Sequence, residues 1–366
     1  MGGAERQALY LVEHLAKLPK CSVEVLSFED GAALRPLLDA MGVKIHVIPY
    51  DYRWPKSLRA RTLTRLSWLL RTRIKPDALL PFVGIHSKAM AMVWPYSGAR
   101  FCWWNQQDEG RDLSGTDVER SILKKLPCVT SNSVAGQIFL SETYGLPANA
   151  VLVYNNGTPV PECPAPSDLR GRLGLGDRPV VSMIANVTRF KDHATLLDAW
   201  AELRKSFDGS SPPVLLLAGH LKERSTVDDL KMKAFELGLS SHDVKFLGPV
   251  GDVGELVAAS DLVVHSSLTE GCPNAVCEAM ALGRAVVATD IPGCRQALGD
   301  DADDVLAPPK DSAVLASKIA RLLRDKPLRE QLGSRNRQRI TKEFSIEGMN
   351  RFFQDQIEKG LGVSLA

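Results

Sequence analysis

Residues 261–283 constrain the fold more than any other stretch of this chain. Asp261-Leu-Val-Val-His265 is a short β-branched run suited to a buried strand, and Gly271 permits an unusual backbone angle. Pro273 suits a first helical turn and Gly283 a helix end. Strand, tight turn and helix therefore follow one another directly, and the helix N-terminus faces a cleft. The N–H groups expected to be open at Asn274, Ala275 and Val276, with the positive end of the helix dipole, suit a phosphate. Glu270 sits on the turn, and Glu278 lies roughly 7 Å along the helix at 1.5 Å per residue. Carboxylates repel phosphate but accept hydroxyl hydrogens, so the set fits a ligand with a ribose, a phosphate bridge and a second sugar.

The same strand and helix alternation runs along the chain. Strands are expected at Cys21–Phe28, Val43–Ile48, Ala78–Phe82, Arg100–Asn105, Cys128–Thr130 and Val151–Tyr154, then at Val180–Ala185, Val214–Ala218, Val244–Leu247, Leu262–His265 and Ala285–Thr289. Helical segments separate them, a pattern that implies parallel sheets in an α/β protein. Seven Pro and Gly residues between 158 and 178 read as a linker over 161–178, so the expected domains are 1–160 and 179–345. The last stretch is helical. One strand is missing from the pattern: Gly2-Gly3 leads straight into a helix, whereas a doubly wound domain starts with a central strand. The expectation is that this first strand belongs upstream of Met1.

Composition narrows the class. The chain has 366 residues, 45% of them apolar and 24% charged, which suits a protein of two domains. No apolar run reaches the roughly 18 residues of a membrane span and no signal peptide opens the chain, so a cytoplasmic location is expected. The seven cysteines (21, 102, 128, 163, 272, 277 and 294) never take a C-x-x-C spacing and read as reduced thiols. Residues 1–160 hold 19 Lys/Arg against 14 Asp/Glu, while the remainder carries a deficit of three. The basic surplus concentrates in Arg53–Lys75, where eight cations and Trp54 and Trp68 occur without an acid. Leu63, Leu66, Leu70 and Ile74 recur there at helical spacing. One face of that helix is expected to pack while its arginines meet water or an anionic membrane at the inner face of the cytoplasmic membrane. No pattern of a nucleic-acid-binding module accompanies it.

The residues of the opening stretch carry a resemblance. E-G-x-P-x-x-x-x-E-A-M-A-x-G, from Glu270 to Gly283, resembles the donor-site signature of glycosyltransferase family 4, whose members are retaining, nucleotide-sugar dependent and of GT-B fold. The resemblance covers nearly the whole chain. It implies two Rossmann-like doubly wound domains facing a cleft, with the terminal helix 346–366 packed back on the first. It implies that Glu270 faces the transferred sugar, that Glu278 binds the ribose, and that Gly271, Pro273, Asn274, Ala275 and Val276 line the donor phosphate.

Gly2 and Gly3 resemble the family's first glycine loop, and Gly219 and Leu247 the loops that line the nucleotide. The run Asn186-Val-Thr-Arg189-Phe-Lys191 resembles the segment that supplies an arginine and a lysine to the diphosphate. Asn186 stands at the usual arginine position, so Arg189 substitutes, while Lys191 is in register. Two cations there stabilise the leaving group. On the acceptor side, Asn105 and Gln106 follow a strand where the family carries histidine, and His86, on a turn after a strand, is the alternative contact. Neither amide takes a proton; if retention proceeds by same-face attack with the departing phosphate as base, no protein base is required.

No cofactor and no metal are expected. The Asp-x-Asp within Asp300–Asp304 follows a helix and reads as an acidic surface loop. The function implied is transfer of a sugar from a nucleotide diphosphate to a hydroxyl of a saccharide or lipid-linked acceptor in bacterial polysaccharide or glycolipid assembly. The alternatives are a nucleotide-sugar epimerase of the same architecture and a nucleotide-sugar-binding protein without turnover.

Overall fold

In a computed structural model, residues 2–29, 34–108, 110, 113–162, 168–207, 211–221 and 224–366 are described; Met1, Cys163, Pro164 and Pro166 lie outside them. The chain divides into one unit of 1–157 with 346–366 and a second of 158–345.

The first unit holds strands β1 (Glu24–Ser27), β2 (Lys44–Val47), β3 (Ala78–Leu79), β4 (Phe101–Gln106), β5 (Cys128–Ser131) and β6 (Val151–Val153). All pair in parallel. β1 joins β2 in one sheet, and β3-β4-β5-β6 form another. β4 is buried along its length, as a strand covered on both faces must be. Helix Ile346–Leu361 packs in this unit: Phe353 meets Trp103 at 5.0 Å, Tyr154 at 4.6 Å and Phe82 at 5.7 Å between ring centroids. These aromatic rings bury large apolar areas and tie the last helix to the sheet.

Several expected boundaries shift. β3 is only two residues long, and the following helix begins at Gly84 rather than near Ser87. His86 therefore lies in the first turn of helix Gly84–Ser97, and not on a loop. The basic segment forms helix Lys56–Leu69 and continues as a π-turn over Leu70–Ile74. Leu63, Leu66 and Leu70 are buried, while Arg61, Arg65, Arg71, Arg73 and Trp68 are exposed.

The second unit is a six-stranded parallel sheet: β7 (Val180–Ile184), β8 (Val214–Ala218), β9 (Val244–Gly248), β10 (Leu262–His265), β11 (Val286–Thr289) and β12 (Leu306–Ala307). Its spatial order is β12-β11-β10-β7-β8-β9. From β7 the chain winds one way through β8 and β9, then returns beside β7 with β10 and winds the other way. Neighbouring strands thus diverge at β7 and β10, and the carboxyl ends of such a pair open a crevice.

Residues 168–178 are anchored to this unit's core and do not form a free linker. Leu173 and Leu175 pack with Val180, Val214 and Leu256, and Arg170 bridges Asp261 at 2.7 Å and donates to the Ala259 carbonyl at 2.9 Å. Gly174 and Gly176 sit in exposed turns at φ 63° and 54°.

Candidate functional site

The site grows from two loops at the carboxyl ends of β7 and β10. Hydroxyls stitch them together: Ser266 Oγ donates to the carbonyls of Lys191 (3.1 Å) and Asp192 (3.0 Å), and Ser267 Oγ to that of Phe190 (3.0 Å). The Leu268 amide adds a bond to the Phe190 carbonyl at 2.8 Å. These serines are buried where a strand ends, and each hydroxyl finds a backbone carbonyl to bond.

Two glycines make the close approaches possible. Gly219, at φ 151°, follows β8, and a Cβ there would sit 2.0 Å from the Ala185 carbonyl oxygen. Gly293 lies against the turn after β10, where a Cβ would fall 2.1 Å from the Gly271 carbonyl oxygen and 2.5 Å from that of Glu270.

The stitched loops bring Lys191 and Glu270 into an ion pair across 79 positions of sequence. His265, the last residue of β10, places Nε2 2.8 Å from the same carboxylate oxygen, Glu270 Oε1. Glu270 is 7% exposed. Burial works to raise its pKa, but the Lys191 charge and the His265 hydrogen bond outweigh it, and the carboxyl is held far below the usual carboxylate range. His193 opens the next helix, buried, with neither ring nitrogen hydrogen-bonded. Burial, with the nearby His265 and Lys191, pushes its pKa down to about 4, so the ring is neutral at pH 7. His265 and His193 are the site residues that sequence reasoning missed. Both stood inside runs already read as strand end and helix start, but nothing local shows that their rings turn towards Glu270 and Lys191.

Around this centre the other donor-side residues divide. Glu278 is half-buried on helix Asn274–Ala281. Pro273 caps that helix, and the amides of Val276 and Cys277 bond the Pro273 carbonyl at 3.0 and 3.1 Å. Val276 is therefore not an open phosphate donor, as the tightened first turn consumes its N–H; Ala275 makes no such bond. Leu247 lies on β9, half-buried. Arg189 is exposed on the short 3₁₀ turn Arg189–Lys191, its side chain without a hydrogen bond or ion pair among the described residues. Gly2 and Gly3 start the first helix of the other unit, where the Glu5 carboxylate accepts the Gly2 N–H.

The three acceptor-side expectations have different outcomes. Gln106 is spent: its Oε1 accepts from Trp104 Nε1 at 3.0 Å and its Nε2 donates to Asp108 Oδ1 at 2.7 Å. His86 stacks on Phe28 with centroids 5.2 Å apart, inside the unit. Asn105 remains, buried, with Oδ1 accepting from Tyr154 (2.8 Å) and Gln107 (2.9 Å) and Nδ2 unpartnered. Asn132, at the end of β5, has an unpartnered Oδ1 and was overlooked. Its signal is the polar run Thr130–Ser133 at the end of β5, beside Asn105 and Gln106 at the end of β4.

In the acidic loop, Asp301, Asp303 and Asp304 pair with Arg335, Arg295 and Arg321 at 3.0, 2.9 and 3.1 Å. Those side chains are mostly exposed, which makes the pairs weak.

A comparison with known proteins identifies the fold. Over 98% of this chain and 96% of the other, the fold superposes on the crystal structure of Anabaena Alr3699/HepE in complex with UDP and glucose, with a TM-score of 0.84 and 23% identity. Sucrose-phosphate synthase from Thermosynechococcus elongatus follows at a TM-score of 0.73 and 19% identity, over 92% of this chain and 98% of that one. The two Rossmann-like units therefore have the GT-B fold.

Residues 178–325, most of the second unit, match the family model described as glycosyl transferases group 1. Among sequence relatives, the N,N'-diacetylbacillosaminyl-diphospho-undecaprenol alpha-1,3-N-acetylgalactosaminyltransferase of Campylobacter jejuni is 32% identical over 44% of this chain and 39% of its own length. The phosphatidyl-myo-inositol mannosyltransferase of Mycobacterium leprae is 35% identical over 38% of this chain and 36% of its own. The chain thus spans less than half the length of these relatives.

Proposed function

We propose that this chain is a retaining glycosyltransferase of family 4, moving a sugar from a nucleotide diphosphate to a hydroxyl. The observation that carries the reading is the meeting of Lys191 and Glu270 at the strand-order reversal. A cation beside a carboxylate in such a crevice suits a ligand that is a phosphate at one point and a polyhydroxyl at the next. In this reading Glu270 faces the transferred sugar, Glu278 binds the ribose, and Lys191 with Arg189 stabilises the departing diphosphate. The phosphate takes the acceptor proton, so no protein base is needed. Asn105 is the acceptor-side contact, because its Nδ2 is a buried donor without a partner among the described residues.

The named relatives act on a diphospho-undecaprenol sugar and on phosphatidyl-myo-inositol, which favours a saccharide or lipid-linked acceptor in surface polysaccharide or glycolipid assembly. The test is product mass spectrometry with a panel of nucleotide sugars and extracted lipids. Glu278→Ala is expected to weaken donor binding tenfold to a hundredfold, since a hydrogen bond to a charged group is worth about 1.5–3 kcal/mol. Unaltered affinity in that variant, or conversion of donor to its epimer without acceptor, overturns the reading.

No helix among the described residues is long and apolar enough to cross a membrane. The exposed arginines 61, 65, 71 and 73 around Trp68 suit peripheral contact with an anionic bilayer. Sedimentation with phosphatidylserine vesicles should then exceed that with neutral vesicles and fall as salt rises. Equal recovery from both removes the membrane role.

A further inference from the structure

His265 stands at the end of a paired strand, where Val264 and His265 align with Val287 and Ala288 of β11. Its ring is 2% exposed. A carboxylate only accepts hydrogen bonds, so Nε2 is the nitrogen that carries the hydrogen towards Glu270 Oε1. Lys191 Nζ bonds that same oxygen, and Oε2 has no partner among the described residues. Glu270 is thus gripped by one oxygen and presents the other.

The two grips differ in kind. Lys191 is a flexible cation on a short turn, and the function proposed above directs it to a diphosphate. One ammonium cannot serve a diphosphate and Glu270 equally, because the ligand carries the greater charge. Once Lys191 turns away, the remaining charged or titratable groups beside Glu270 are His265 and the buried Cys294 thiol, which burial keeps protonated; neutral His193 lies behind, towards His265 and Lys191. A carboxylate buried without a partner takes up a proton and loses its fixed orientation.

We propose that His265 is the positioning residue for Glu270, holding the carboxylate with Oε2 presented while Lys191 turns to the donor diphosphate. This rests on the function proposed above. His265 touches no substrate in this scheme and acts through Glu270, from the end of a strand paired with β11.

The first arm of the test is kinetic, with UDP-glucose as donor and water as acceptor, or the donor that the panel shows to be used. His265→Leu is expected to lower kcat tenfold to a hundredfold with the donor KM within about twofold. His265→Gln, whose side-chain amide also donates a hydrogen bond, is expected to recover most of the loss. A His265→Leu variant with undiminished kcat, a rise in KM that accounts for the loss, or a glutamine variant as impaired as the leucine one overturns the proposal.

The second arm needs no turnover. With carboxyl-labelled glutamate, the Glu270 resonance, assigned through Glu270→Gln, is followed by ¹³C NMR at pH 7. In Lys191→Ala it is expected to stay ionised, and in the Lys191→Ala/His265→Leu double variant to become protonated. Identical titration in the two overturns the proposal. Absence of turnover by the wild-type chain with every donor sinks the glycosyltransferase reading instead, and leaves the NMR arm to decide the role of His265.

Discussion

Glu270→Gln is expected to lower kcat for sugar transfer by about 10²-fold or more while leaving donor KM within a few-fold. The amide conserves volume, but it removes the charge that would face an electron-poor sugar carbon, and a preorganised group of this kind is worth about 10²–10³ in rate. It also sets an NH₂ or a neutral oxygen against two donors, Lys191 and His265. Removing one partner of a buried pair costs about 3–5 kcal/mol; Lys191 is partly exposed and recovers some of this by reaching water. A loss of roughly 2 kcal/mol lowers the melting temperature of a domain this size by about 4–8 °C. Steady-state kinetics and a thermal melt measure both effects. Unchanged kcat with a lowered melting temperature would reduce Glu270 to a structural role.

Gly293→Ala is expected to disable the same centre without touching any ligand. The new methyl carbon would lie 2.1 Å from the Gly271 carbonyl oxygen and 2.5 Å from that of Glu270, and both obstacles are backbone atoms. The turn must retreat by more than 1 Å to reach ordinary contact, and displacements of that size cost about a hundredfold in rate. Overpacking adds about 1–3 kcal/mol of destabilisation. Gly251→Ala is the control, because a Cβ there meets nothing within 4 Å. If Gly293→Ala retains activity like Gly251→Ala, the turn is more yielding than its packing implies.

Much of the fold was legible because buried parallel strands are written as continuous apolar runs. Val214–Ala218 and Leu262–His265 are strands over the expected residues, and every residue of both is buried. The limits of the reading lie where partners matter more than pattern. The Gly and Pro residues of 158–178 suggested a linker, but Leu173, Leu175 and Arg170 are claimed by segments up to 91 positions away, a pairing that composition does not carry. Gln106 failed for a more local reason. Trp104 and Gln106 share one face of β4 at a spacing of two, so the indole N–H reaches the amide directly. His86 and Val276 were misjudged through element ends, where a helix starting three residues early moves a side chain inward and a tighter first turn takes an amide. Lys191 and Glu270 were each visible as chemistry. Their meeting, and His265 as the third member, depends on strand order, which no single stretch of sequence states.

The return of helix Ile346–Leu361 to the first unit sets the order in which the molecule is completed on the ribosome. Domains generally fold in the order they are synthesised. Here Trp103 and Tyr154 emerge early and wait for Phe353, and all of 158–345 is made before that ring exists. The second unit has its whole sequence in hand first, and the unit that begins the chain is the last to close its core.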